Sequence, residues 1–197
     1  MYLFSSVPIE RCGSCWAFST VETVESHVAI KTGKLLVMSP QQIVSCATNP
    51  SKCGGTGGCE GATQEIGFNY TASAGGLSLD SEYPYWSGLG IDIPCNQTLI
   101  KPVATVEGYV KLDANNATQL QAAIAQVGPI AISVAASGSF QMYGGGVLND
   151  NGQCGWDVDH AVQAVGYGVD GATGFGYWLV RNRCAAMRCF RAVLWEG

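Results

Sequence analysis

The sequence is poor in charge, in histidine and in long apolar runs, and these shortages exclude several classes of function. Only 13% of the 197 residues are charged, and the net charge of −5 gives no basic surface for nucleic acid or anionic lipid. No apolar run approaches the roughly 18 residues of a membrane-spanning helix, so we expect no membrane segment. The chain has two histidines, His27 and His160, so candidates for an imidazole base are few.

Cysteine, in contrast, is plentiful. Nine cysteines favour an oxidising compartment, and the odd number leaves at least one thiol unpaired. Sequons for N-glycosylation at Asn69, Asn96 and Asn116 agree with a secretory route. The first ten residues do not, because they lack the basic region and the long apolar stretch of a signal peptide. Either the compartment is inferred wrongly or the start of the protein lies outside this sequence.

Hydrophobic periodicity predicts a helical first half and a β-rich second half. The predicted helices cover about 15–31, 62–70 and 117–127, and Ser39-Pro40 marks another helix start. The predicted strands cover 103–112, 130–134, 158–169 and 177–181. The sequence thus predicts an α+β chain of two lobes, with a boundary near 95–105 and a cleft between the lobes that is suited to an active site.

The stretch "RCGSCWAFST" (11–20) allows three kinds of chemistry. A redox dithiol of Cys12 and Cys15 would need a surrounding βαβ pattern, which is missing. A zinc site would need a second ligand pair, and Cys53 and Cys59 have neither the spacing nor a histidine partner. A nucleophile fits better, because Cys15 stands at the first turn of a predicted helix, where free N–H groups stabilise a thiolate. We therefore expect no metal and no cofactor.

A nucleophilic cysteine needs a base, and the base has to come from elsewhere in the chain. His27 lies in the same predicted helix and is interpreted as a surface or packed residue. His160, in "DVDHAVQAVGYG", begins an apolar strand of the other lobe and could pair with Cys15 across the cleft. Asn182, at the end of "YWLVRN", could orient the imidazole through its side-chain carbonyl.

With these residues in place, the sequence resembles the papain-like cysteine proteases of the cathepsin L type. The segments "CGSCWAFS", "DVDHAVQAVGYG" and "GYWLVRN" are similar to the three active-site blocks of that family. Connecting blocks follow in the family's order: "SPQQIVSC", "GGCEGA", "YPYW" and "GPIAISVAA". The resemblance implies the papain-like two-lobe fold, with a helical lobe over 12–100, a β-rich lobe over 101–182, an atypical segment over 1–11 and a non-matching tail over 183–197.

The resemblance also implies roles. Cys15 would be the nucleophile, His160 the base and then the acid, and Asn182 the orienting amide of a cysteine-type endopeptidase that forms an acyl-enzyme. Gly61 would bind the backbone of an extended substrate. Further residues would line the pocket for the second residue before the cut: Ala62, Thr63, Ser133, Val158 and Asp159. Disulfides would join Cys12 to Cys59 and Cys46 to Cys95, Cys154 would pair within the tail, and Cys53 has no assigned partner.

Both ends depart from the family's pattern. Where the family carries the glutamine that completes the oxyanion hole, this chain has Ile9, and losing one such donor typically costs about 10²–10³ in rate. After Asn182 the family continues with Ser-Trp-Gly and further strands, whereas this chain reads "RCAAMRCFRAVLWEG". The sequence therefore predicts a truncated second lobe with an unpaired sheet edge. We interpret the tail as the product of a shifted reading frame or a retained intron, and the first ten residues as a misassigned start.

The alternatives are an inactive homologue that acts by binding, a truncated gene product with little activity, and the dithiol oxidoreductase, which a Cys12–Cys59 disulfide would exclude. The resemblance implies protein or peptide substrates and proteinaceous cysteine-protease inhibitors as partners. We expect a monomer that binds no nucleic acid and no membrane, in a lysosome or vacuole or in the secreted fraction.

Overall fold

The computed structural model describes residues 11–136, 138–148, 155–182 and 190–195. The α-helices are α1 (Cys15–Thr32), α2 (Pro40–Cys46), α3 (Gln64–Ser73), α4 (Ala117–Val127) and the short α5 (Gly138–Gln141). The strands are β1 (Ile130–Val134), β2 (Val147–Leu148), β3 (His160–Val169), β4 (Gly176–Arg181) and β5 (Phe190–Trp195). No helix of the described residues is both long and apolar enough to cross a bilayer.

Helix α1 is the central element, because it is buried along most of its first three turns. Its apolar side packs into a core with α2 and the segments around Met38 and Leu77, where Trp16 and Ile43 are fully buried. The helix ends at Gly33, whose φ of 72° is left-handed and whose N–H donates to the carbonyl of Ala29. The helix predicted over 15–31 from hydrophobic periodicity thus begins where α1 begins and ends one residue before it.

Short helix α2 begins as its sequence predicts. Ser39 is the N-cap and accepts the N–H of Gln42 at 3.0 Å, while Pro40 occupies the first turn, where its missing N–H costs nothing. Two disulfides tie the helical lobe together, one joining Cys12 to Cys59 and the other joining Cys46 to Cys95. Both pairings are those that the family resemblance implied.

The second half of the chain forms a five-stranded sheet in the order β1-β3-β4-β5-β2. All neighbours are antiparallel except β2 and β5, which run parallel. In the register, Ser133 of β1 lies opposite Ala161, and Val134 opposite His160. One face of the sheet packs around Phe140, Val162 and Val180, all at most 3% exposed, and α1 lies against the sheet from the other lobe. The start of β3 and the end of β4 therefore lie at the junction of the two lobes.

Two sequence predictions fail. The tail was expected to lack a matching strand and to leave β4 as an unpaired edge, but β5 pairs with all six residues of β4. The segment "FRAVLW" is a short, mostly apolar run rich in residues that favour strands, and the antiparallel partner satisfies its backbone. The alternating segment 103–112 forms no strand, and among the described residues it makes an isolated bridge between Leu77 and Ala104, because alternation by itself does not supply a partner strand.

Candidate active site

Cys15 is the first residue of α1, and the turn before it fixes its position. Gly13 donates its N–H to the carbonyl of Cys59 at 2.7 Å, and a Cβ on this glycine would meet the same oxygen at 2.7 Å. Only glycine fits that close approach of two backbones. The hydroxyls of Ser14 and Tyr85 hydrogen-bond at 2.7 Å. The nucleophile candidate thus lies at the N-terminus of α1, where the backbone N–H of Trp16 donates to its sulfur.

His160 and Asn182 meet Cys15 from the sheet. His160 opens β3, Asn182 follows the last residue of β4, and the Nε2–H of His160 donates to Oδ1 of Asn182 at 2.8 Å. Because Asn182 occupies Nε2, the other ring nitrogen is available for the hydrogen bond that links His160 to Cys15. Phe140 packs edge-on against the imidazole, with ring centroids 6.1 Å apart. The structure therefore brings together the three side chains that the sequence singled out.

The electrostatics favour a thiolate and an imidazolium. Burial raises the pKa of the Cys15 thiol, but the hydrogen bond from His160, the backbone N–H groups of Ala161 and Trp16, and the charge of the imidazolium outweigh it, so the pKa is lowered overall. Burial also lowers the pKa of His160. The hydrogen bonds to Cys15 and Asn182 and the thiolate charge outweigh that effect and raise it overall. Each partner stabilises the charged form of the other, as a thiol nucleophile requires.

The structure excludes the redox interpretation of Cys12 and Cys15. Cys12 is bonded to Cys59, so it cannot form a dithiol with Cys15. Of the described cysteines, Cys15 and Cys53 are free, and Cys53 is exposed. His27 lies away from the cleft with its Nε2 2.9 Å from the carbonyl of Pro129, as expected of a packed helix residue. No group of three His, Cys, Asp or Glu side chains within the described ranges could hold a metal ion.

The predicted substrate-binding residues fall on both sides of the lobe junction. Thr63 is the N-cap residue of α3, and Gly61 just before it has a left-handed φ of 87°. Ala62 packs on the core of the helical lobe. On the other side, Ser133 lies on β1, and Asp159 accepts the N–H of Ala136 at 2.8 Å beside His160.

A residue that the sequence did not indicate connects the two lobes at this point. Gln64 donates to the carbonyl of Ile132 at 2.8 Å and to Oγ of Ser133 at 3.1 Å, across 68 and 69 residues of chain. It is 7% exposed, and the two partners satisfy its amide. Its only sequence signal was its place next to Thr63 at the start of a predicted helix.

Val158, the last of the predicted substrate-binding residues, lies on the sheet side of the junction and is 64% exposed.

Several predictions concern residues outside the described ranges. They are Ile9 at the oxyanion position and the pairing of Cys154 with a cysteine of the tail, which contains Cys184 and Cys189.

Comparison with known proteins identifies the family of the chain. The profile described as "Papain family cysteine protease" matches residues 8–186. The chain belongs to the papain family. It is 42% identical over 174 residues to Cysteine endopeptidase RepA of Oryza sativa subsp. japonica, and 38% identical over 173 residues to Cathepsin K of Mus musculus. Each match covers 87% of this chain.

Solved structures confirm the papain-like two-lobe fold. The bromelain protease from Ananas comosus, in complex with the E64 inhibitor, matches with a TM-score of 0.82 at 32% identity, covering 95% of this chain and 82% of that one. The chain spans only 43% and 49% of the lengths of RepA and Cathepsin K, so it covers less than half of these papain-family relatives.

Proposed function

We propose that this protein is a cysteine-type endopeptidase that cleaves peptide bonds through an acyl-enzyme. The observation that carries the proposal is the hydrogen-bonded series Cys15–His160–Asn182 at the lobe junction, with the thiol pKa lowered and the imidazole pKa raised. A pair held in this state can attack a carbonyl without first transferring a proton to solvent. The named papain-family relatives, a cysteine endopeptidase and a cathepsin, support the same activity.

In the first half of the reaction, the Cys15 thiolate attacks the peptide carbonyl carbon and the electron pair of the C=O moves to oxygen. The backbone N–H of Cys15, at the start of α1, would be one donor to that oxyanion. His160 then gives its proton to the leaving amine, the C–N bond breaks and a thioester remains. Asn182 keeps the ring oriented through its bond to Nε2.

In the second half, His160 takes a proton from water, and the hydroxide attacks the thioester to release the acid and restore the thiolate. The rate should therefore be bell-shaped in pH. It rises as the Cys15–His160 pair loses its first proton and falls as the pair loses its second. With the thiol pKa lowered and the imidazole pKa raised, the active window lies between the two.

The substrate would lie extended along the junction. We infer that Gly61 binds its backbone and that one side chain enters between Ala62 and Thr63 on one lobe and Ser133, Val158 and Asp159 on the other. The cross-lobe bonds of Gln64 support this arrangement, because they hold the start of α3 beside Ser133.

Alkylation with a peptidyl epoxide, read by peptide mass spectrometry, tests the proposal. We expect one adduct on Cys15 in the wild-type chain and none in the Cys15→Ser variant, since only the activated thiolate in a peptide-binding cleft reacts quickly. The free thiol of Cys53 is an internal control, because it is exposed but has no imidazole partner of this kind. Folded protein without an adduct on Cys15, or with equal labelling of Cys53, would overturn the proposal.

We also infer peptide and protein substrates, proteinaceous cysteine-protease inhibitors as partners, and a location in the lysosome or vacuole or outside the cell. Two disulfides support an oxidising route, and the three sequon asparagines are exposed. Endoglycosidase treatment of the protein from its natural source should lower its mass. An unchanged mass would count against the secretory route.

A further inference from the structure

The face of α1 that carries Cys15 continues as a polar stripe toward the sheet. Residues spaced by three or four positions share one face of a helix. Along α1 this face bears Cys15, Ser19, Glu22 and Ser26, with Thr23 beside it. The nucleophile is thus the first member of a polar stripe that points into the opposite lobe.

Each member of the stripe has a partner on β3 or β4. Ser19 donates to the carbonyl of Val162 at 2.7 Å, and Gln163 donates to Oγ of Ser26 at 3.1 Å. The side chain of Gln163 is fully buried. We call this set of contacts the lobe seam. The lobe seam holds α1, which carries Cys15, against β3, which begins with His160.

The lobe seam contains an ion pair at the residue that directly precedes Asn182. Nε of Arg181, the last residue of β4, lies 3.6 Å from Oε1 of Glu22. The side chain of Glu22 is 10% exposed and that of Arg181 38% exposed, so this pair is far less open to solvent than the surface pair Lys101–Glu82. Arg181 lies opposite Gln163 in the sheet register and directly precedes Asn182.

We propose that the Glu22–Arg181 ion pair positions Asn182: it holds the end of β4 against α1 so that the Asn182 amide stays on the imidazole of His160. The proposal rests on the peptidase function above. Glu22 and Arg181 touch no substrate in this scheme and act only through Asn182. Because β4 ends at Arg181, the ion pair is its last side-chain contact with α1 before the candidate orienting amide.

The surrounding charges favour this pairing. Glu25, one turn further along α1, is buried and faces Glu22, Arg181 and Asp80, and its carboxylate accepts the N–H of Met38 at 2.8 Å. Burial, together with the neighbouring carboxylates, raises the pKa of Glu25 to about 7, although the Met38 N–H and Arg181 oppose the shift. Below neutral pH this carboxyl is therefore protonated, and it does not compete with Glu22 for the guanidinium of Arg181.

A positioning role and a simple charge effect predict opposite shifts of the His160 pKa for Arg181→Gln. Loss of the Asn182 bond lowers the pKa of His160, because that bond favours the charged imidazole. Under the proposal, Glu22→Gln and Arg181→Gln both lower it. If the two charges act only through space, Glu22→Gln lowers the pKa of His160 and Arg181→Gln raises it.

The experiment is an NMR titration of the two histidines in the full chain. We expect the His160 midpoint to fall by about half a pH unit or more in both variants, and His27 serves as the reference signal in the same spectrum. The alkaline limb of kcat/KM should move to lower pH in parallel, and its maximum should fall about tenfold as the imidazole loses its orientation. The matched control is Glu82→Gln, which removes an exposed ion pair far along the chain from the seam.

The double variant Glu22→Gln with Arg181→Gln leaves no unpaired charge, and it gives the answer where a single variant folds poorly. It should still lower the His160 midpoint, by no more than the single variants together. Opposite shifts in the single variants, or an unchanged midpoint in the double variant, would overturn the proposal. The NMR readout needs no catalysis, so a wild-type chain that fails to cleave peptides would contradict the peptidase function and leave this test intact.

Discussion

The pKa of the Glu25 carboxyl in α1 depends on how the two lobes pack around it. Glu25 is 6% exposed, and its carboxylate has one hydrogen bond, from the Met38 N–H. Burial therefore raises its pKa to about 7, well above the ordinary value of a glutamate. In the folded protein this carboxyl holds a proton that the unfolded chain releases at lower pH.

The consequence is a stability that falls as the pH rises. The folded state binds the extra proton between the ordinary glutamate pKa and about 7, so the stabilisation is complete at acid pH and is lost as the pH passes 7. We expect the group to change the free energy of unfolding by about 3 kcal/mol over this window. Urea unfolding at pH 5 and pH 8 measures the difference.

Glu25→Gln keeps an acceptor for Met38 and removes the titration, so its stability should vary less with pH and should exceed that of the wild type above pH 7. Glu107→Gln, at an exposed position, is the matched control and should follow the wild type. If Glu25→Gln and the wild type lose equal stability from pH 5 to pH 8, the carboxyl is not protonated at neutral pH.

At the scale of elements, α2 is a seven-residue helix that relies on buried amides. Gln41 donates to the hydroxyls of Ser45 and Ser87, both at 2.9 Å, and accepts the N–H groups of Trp86 and Ser87 at 2.7 and 3.0 Å. A helix this short is unstable alone, so its position depends on such side-chain contacts. Gln41 thus fixes the loop at Ser87, although the two are 46 residues apart.

Gln41→Leu should therefore destabilise the fold by about 2–4 kcal/mol, since it removes the acceptor of the buried Ser87 N–H and of the partly buried Trp86 N–H. Gln126→Leu, on the exposed face of α4, makes the same chemical change and should alter the free energy of unfolding by less than about 0.5 kcal/mol. Urea midpoints compare the two. If the two variants lower the urea midpoint equally, the hydrogen bonds of the Gln41 amide do not contribute to stability.

Short sequence patterns correctly predicted the structural features that depend on neighbouring residues in the chain. The N-cap at Ser39, the helix from Cys15 and the trio of Cys15, His160 and Asn182 all follow from short sequence patterns. Segment 103–112 shows the limit of such patterns, because alternation alone cannot supply a neighbouring strand. The tail shows the converse: β5 lacked the family's pattern, yet it pairs with β4.

The residues that sequence reasoning missed are polar side chains whose partners lie far along the chain. Gln64, Glu22 and Arg181 each stand in a helix or strand where a polar residue ordinarily faces solvent. Their partners come from the opposite lobe, so only the assembled fold shows that they are buried or bonded. No spacing within one segment could have identified them.

At the scale of the whole molecule, two disulfides close long loops within the helical lobe. Cys46–Cys95 spans 49 residues and ties the end of α2 to the segment that leads to the second lobe. In the chain-entropy account, a bridge over a loop of this length stabilises the fold by about 4 kcal/mol, because it restricts the unfolded chain.

Replacing both cysteines, Cys46→Ala with Cys95→Ala, should lower the free energy of unfolding by that order, about 4 kcal/mol, in urea under non-reducing conditions. Cys53→Ala is the matched control, since its thiol is free and exposed, and it should leave the urea midpoint unchanged. If the double variant unfolds at the wild-type midpoint, the bridge adds nothing to stability.

The lobe seam also sets the order in which the molecule is assembled. Ser19 bonds to Val162 across 143 residues, so the seam cannot form until β3 has left the ribosome. Contacts between such distant segments form late, because a long loop must first be closed. The proposed nucleophile therefore leaves the ribosome well before its proposed base, and the two can meet only after β3 has emerged. Until β3 emerges, the nascent chain carries the thiol of Cys15 without the imidazole whose hydrogen bond helps to lower its pKa.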